Sequence, residues 1–167
     1  MGTRGLLTVI NKEGEIKVSQ YMQWDSYPGG QGIDILRLIQ NKETLDKLEE
    51  SLSRVRFLDV DGRDKQFVDA FDNTNPRTPE QEYWYNTFLH RDLGHRIIEN
   101  IINVGGEIIL QEQNSTWCEY FYTVDFQKRE FQCVSVNSEP SQNFSLDDLP
   151  TDERFLELFS YQEEEDV

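Results

Sequence analysis

Two cysteines and two histidines are all that 167 residues hold of thiol and imidazole. His90 and His95 stand five apart, which on one helix turns them about 140° from each other. With no cysteine or carboxylate set at ligand spacing around them, a zinc site is excluded. No apolar run approaches the roughly 20 residues that a membrane span requires. No basic stretch followed by an apolar one opens the chain, so no signal peptide is expected. Leu6 stands where a myristoylation signal needs Ser or Thr. Positive charge is also scarce, with 16 basic side chains against 32 acidic ones and a formal net charge of −16. Residues 130–167 carry 11 of the acidic residues and one basic residue, Arg154. Direct binding to a nucleic-acid backbone needs a basic face and is therefore disfavoured. A basic protein partner is compatible with this charge, with Glu163, Glu164, Glu165 and Asp166 as its contact residues.

What is present is aromatic and patterned. Aromatic residues make up 12% of the chain, which speaks for a packed core. The segments 117–125 and 130–136 read as a hairpin turning at Gln127-Lys128, in a register that faces Tyr122 with Cys133 and Val124 with Phe131. Cys118 then lies about four residues along the ladder from Cys133, roughly 13 Å away, too far for a disulfide. Two buried thiols fit a reducing, cytoplasmic setting.

Segments 6–10 and 16–24 alternate as a first hairpin around Asn11-Lys12-Glu13-Gly14. A turn-rich stretch follows over 25–32, and a helix begins near Ile33. Asn41 is placed to cap a second helix with Leu45, Leu48 and Leu52 on one stripe. Residues 55–60 are extended, and 72–76 form a loop. Thr78-Pro79-Glu80-Gln81 has the form of a capping box with Pro at the first helical position. That helix runs to Leu93, breaks at Gly94, and a further helix over 95–104 stops at Gly105-Gly106. Segments 107–113, 117–125 and 130–136 are expected as an antiparallel meander, and a last helix covers 152–161. The order implies an α+β fold: an antiparallel sheet built from strands at both chain ends, covered by the central helices. Residues 1–162 form one domain and 163–167 an acidic tail.

Trp24 to Gly32 is the stretch with most chemical content. Its glycines and proline precede a helix start that presents free N–H groups to an anion. It is neither a phosphate-binding P-loop nor a dinucleotide fingerprint. Trp24 and Tyr27 can stack on a planar ring, Asp25 can accept from a ring amine or a ribose hydroxyl, and Gly30 and Gly32 belong to the same candidate ligand site. Arg4, between Gly2 and Gly5, is a candidate bidentate anion clamp. The alternatives are a plain strand-to-helix turn and an Arg4 paired internally with a carboxylate. Phe57-Leu58-Asp59-Val60-Asp61-Gly62 has the two aspartates of a haloacid-dehalogenase phosphatase, but Arg63 replaces its Thr, so it reads as an Asp-rich surface turn. His90-Arg91-Asp92 has no kinase motifs around it.

The opening Met1-Gly2-Thr3-Arg4-Gly5, the loop Gln23-Trp24-Asp25-Ser26-Tyr27-Pro28-Gly29-Gly30-Gln31-Gly32 and the strand 118–125 resemble a family of small proteins of phages, bacteria and fungi that carries no assigned activity. Some members open with Met-Cys-Thr-Arg-Gly, similar to amidohydrolases with an N-terminal nucleophile. Gly2 replaces that cysteine here. The leading expectation, drawn from the anion clamp, the glycine-rich helix start and the two stacking rings, is a non-enzymatic accessory or counter-defence protein of phage type, without a cofactor. Its expected ligand is a small polar, anionic, nucleotide-like molecule held by Arg4, Trp24, Asp25, Tyr27, Gly30 and Gly32. An acidic inhibitor of a basic host protein, and a degenerate hydrolase, are the alternatives.

Overall fold

The computed structural model describes residues 3–65, 77–114, 117–136 and 141–165, without the side chains of 160–165. Strands from both chain ends meet in one five-stranded sheet of order β2-β1-β5-β6-β7. β1 (Gly5–Ile10) and β2 (Ile16–Met22) form the expected hairpin. Its turn is closed by Asn11, whose Oδ1 accepts from the N–H of Glu13 at 3.1 Å and of Glu15 at 2.8 Å.

β5 (Tyr120–Asp125) and β6 (Glu130–Ser135) pair antiparallel with Tyr122 opposite Cys133 and Val124 opposite Phe131, the register read from the sequence. Asp125 accepts from the N–H of Gln127 and Lys128 and so holds the turn. Both cysteines are buried and free. β7 (Gln142–Ser145) adds an edge strand.

The sheet is mixed, not wholly antiparallel, because β1 runs parallel to β5. This also breaks the expected meander. A strand has two hydrogen-bonding edges, and those of β5 are taken by β1 and β6. β4 (Ile108–Leu110) therefore pairs elsewhere, in parallel with β3 (Val55–Phe57), as a separate two-stranded sheet.

The helices cover one face of the main sheet. α1 (Ile33–Gln40) buries Ile33, Ile35, Leu36 and Ile39, and α2 (Lys42–Ser51) buries Leu45 and Leu48. Asn41 caps α2 by accepting from the Thr44 N–H at 3.1 Å. α3 (Pro79–Trp84) begins with the full Thr78–Gln81 capping box and passes into a π-helical turn, Tyr85–Leu89. Gly94, at φ +57°, breaks the chain before α4 (Arg96–Ile102). α5 (Asp152–Glu165) lays Phe155 on Phe131, ring centres 6.3 Å apart, and Phe159 on Phe155 at 5.0 Å.

Phe88, Ile98, Ile101, Tyr122, Val124, Phe131 and Phe155 all fall in the expected core. Each contributes about 1.5–3 kcal/mol by leaving water. Trp84 is only half-buried, at the margin of that core and 4.7 Å from Phe88, because the short α3 buries none of its residues completely. The loop expected at 72–76 lies outside the described residues. Among the described residues no helix is long and apolar enough to cross a membrane.

Candidate functional site

The loop between β2 and α1 is shaped by its own packing. Ser26 is wholly buried, donates from its N–H to the Thr3 carbonyl at 3.1 Å, and donates its hydroxyl to the Met22 carbonyl at 3.0 Å. Tyr122 donates its hydroxyl to the Ser26 carbonyl. Asp25 takes the left-handed conformation at φ +54°, and its carbonyl accepts from the Gln31 N–H at 2.7 Å. A side chain at position 30 would place Cβ 2.1 Å from that carbonyl, and one at position 32 would come within 2.8 Å of the Tyr122 hydroxyl. The turn Pro28–Gly32 leads directly into α1. Trp24 is 57% exposed, and Tyr27 and Asp25 are also on the surface.

Arg4 faces a different place. It lines a cleft of about 540 Å³ together with Tyr21, Tyr85, Arg91, Gln113 and Trp117. Trp24, Asp25, Tyr27, Gly30 and Gly32 are not among the residues that line it. The sequence-based set thus divides into Arg4, which lines the cleft, and an aromatic, glycine-rich loop outside it.

The cleft is assembled from four separated segments. The Arg4 carbonyl accepts from the N–H of Glu119 at 2.8 Å, which fixes the chain just ahead of β5. Its guanidinium has no ion pair or side-chain hydrogen bond among the described residues, so the internal pairing considered for it is not found there. Arg91, by contrast, is held. It donates to Gln23 Oε1 at 2.9 Å, lies 4.9 Å from the centre of the Tyr21 ring, and is 3.7 Å from Asp92. Tyr21 donates its hydroxyl to the same Gln23 oxygen at 2.6 Å.

Gln113 lies along the outer edge of β2. Its N–H donates to the Ser19 carbonyl at 2.9 Å, and its Oε1 accepts from the Tyr21 N–H at 2.9 Å. Its buried Nε2 has no acceptor among the described residues, which costs about 1–3 kcal/mol in a folded chain. Glu112 adds one negative charge to the rim. Trp117, at φ +66°, is 78% exposed.

Sequence reasoning missed Tyr21, Arg91, Gln113 and Trp117 as cleft residues. Arg91 lies in a three-residue motif with no kinase motifs around it, and the pattern around Trp117 reads only as a strand. No local signal joins them, since the contacts are made by tertiary packing.

The remaining candidates have structural roles. Asp64 is buried and takes a bidentate pair of hydrogen bonds from Arg56, at 2.6 and 2.9 Å, and one from the Asp59 N–H at 2.7 Å. The Arg56 guanidinium and that N–H hold its carboxyl at about 2. The run 57–62 is thus a braced turn with Asp59 and Asp61 exposed. His90 Nδ1 accepts from the Asp92 N–H at 3.1 Å. His95 Nδ1 meets Gln31 Oε1 and lies 3.9 Å from Asp34, while burial lowers the pKa of the ring. Among the described residues no group of three or more His, Cys, Asp or Glu is placed to hold a metal ion. The side chains of Glu163, Glu164 and Glu165, and all of Asp166, lie outside the described residues. No protein-family model, curated protein or solved structure matches the chain.

Proposed function

We propose that this chain is a non-enzymatic binding protein for a small anionic, nucleotide-like ligand, with Arg4 as its anion clamp in the cleft beside β2. The observation that carries the reading is an Arg4 guanidinium that is unpaired among the described residues, in a cleft of about 540 Å³, on a chain with twice as many acidic as basic side chains. With carboxylates so abundant, a guanidinium left without one is available to an external anion, and its planar fork suits phosphate or carboxylate. The volume falls within the range of small-molecule sites. Gly30 and Gly32 then serve the shape of the loop, and Trp24, Asp25 and Tyr27 lie on the surface outside the cleft. A phage-type accessory or counter-defence protein that holds such a ligand agrees with the resemblance in the N-terminal strand and the loop.

The test is a thermal-shift panel of nucleotides and other small phosphates on the wild type and on Arg4→Ala. A ligand present at 100 times its Kd stabilises the folded state by about 2.7 kcal/mol. Wild type gains melting temperature with at least one member of the panel, and Arg4→Ala does not. A wild type unmoved by the whole panel, or an Arg4→Ala variant that responds equally, refutes the reading.

A further inference from the structure

Of the three aromatic residues in the Arg4 cleft, two have a ring face already covered by a cation. Arg91 sits over Tyr21 at 4.9 Å, and Arg77 over Tyr85 at 3.9 Å. Trp117 has no ring or cation contact among the described residues and is 78% exposed. An indole held out in water forfeits the burial of the largest apolar side chain there is. Its backbone is also strained, since φ +66° is a left-handed conformation that a bulky residue rarely takes. Such strain, held in place by the surrounding structure, is concentrated at ligand clamps and active sites.

We infer that Trp117 is the stacking platform for the base of a nucleoside phosphate whose phosphate end is held by Arg4. This rests on the proposal that Arg4 binds an anion, and it adds the residue on which the base of that ligand stacks. Gln111 borders the same cleft, and a carboxamide offers a donor and an acceptor side by side, the pairing that reads the edge of a nucleobase; the Gln113 amide is already engaged by the Tyr21 N–H and buried. Stacking on an indole is tolerant of base identity, because every base has a π-face. Affinity therefore comes from Arg4 and Trp117, and choice among bases from Gln111.

The experiment is isothermal calorimetry with the four ribonucleoside 5′-monophosphates, inorganic phosphate and pyrophosphate, on wild type, Arg4→Ala, Trp117→Ala and Trp117→Phe. Trp117 is exposed, so its variants keep the fold, and a matching melting temperature checks this. Wild type binds at least one nucleotide about 5- to 150-fold more tightly than inorganic phosphate, the increment that stacking supplies. Trp117→Ala removes that increment and leaves phosphate and pyrophosphate binding unchanged, while Trp117→Phe retains most of it. Arg4→Ala weakens nucleotides and inorganic anions alike. Anion binding that depends on Arg4, with nucleotide affinity unchanged in Trp117→Ala, overturns this inference and leaves the anion site standing. Binding of neither class, or binding indifferent to Arg4, overturns both.

Discussion

Tyr122 donates its hydroxyl to the carbonyl of Ser26 at 2.6 Å, 96 residues away in the chain, and both residues are buried. The bond ties the central strand of the sheet to the loop that starts α1. It also accounts for Gly32, because any side chain there would meet the Tyr122 ring and hydroxyl.

Tyr122→Phe keeps the ring packing and leaves the Ser26 carbonyl without its donor. A loss of about 1–3 kcal/mol is expected, read as a lower urea midpoint with an unchanged m-value. Gly32→Ala destabilises as well, by crowding that hydroxyl. It should cost less in the Tyr122→Phe background, where the nearest clashing atom is gone, so a double-mutant cycle returns a coupling energy. Simple additivity of the two changes would show that the loop does not press on Tyr122.

The Arg56–Asp64 pair gives a pH signature. The folded-state pKa of Asp64 is lowered to about 2 by the Arg56 guanidinium and the Asp59 N–H. A carboxyl with a depressed folded-state value stabilises the fold above its unfolded pKa, and that contribution is lost as pH falls through the folded one. Asp64→Asn is therefore less stable than wild type at neutral pH by about 1–3 kcal/mol, since hydrogen bonds to a charged group are broken. The gap narrows as pH falls from about 4 towards 2. Urea titrations of both proteins across that range check it. A gap constant with pH would mean that the carboxylate charge is not what the fold uses.

Neither thiol should react in the folded protein. Burial pushes the Cys133 thiol well above its ordinary pKa. Burial also raises Cys118, against the opposing influence of the Arg4 charge. Only the thiolate attacks a disulfide reagent, so labelling by a coloured aromatic disulfide at neutral pH stays slow until denaturant opens the core. Rapid labelling of Cys118 in the native state would place it at a surface that opens locally.

Local chemistry was legible, and long-range pairing was not. Asn41, the Thr78–Gln81 box and the Tyr122–Cys133 register are settled within a few residues, by caps and by alternation, and all three stand in the fold. β7 escaped because Phe144 is the single apolar residue in Gln142–Ser145. The parallel β1–β5 and β3–β4 pairs escaped because nothing near either strand selects its partner. The cleft follows the same rule. Arg4 was singled out, but Tyr21, Arg91 and Trp117 reach it only through the way that β2, the segment before α4 and the approach to β5 are packed.

The parallel pairing of β1 with β5 also sets a timetable. Gly5 lies opposite Tyr120, so the inner edge of the first hairpin has no partner until residues 120–125 have been synthesised. A nascent β1–β2 ribbon leaves the ribosome with that row of N–H and C=O groups bare, open to a chaperone or to a second unfinished copy. Closing so long a loop is slow in comparison with local helix formation. The helices of the middle segment are too short, at six to ten residues, to persist alone, so they gain their support only when β5 arrives and completes the sheet.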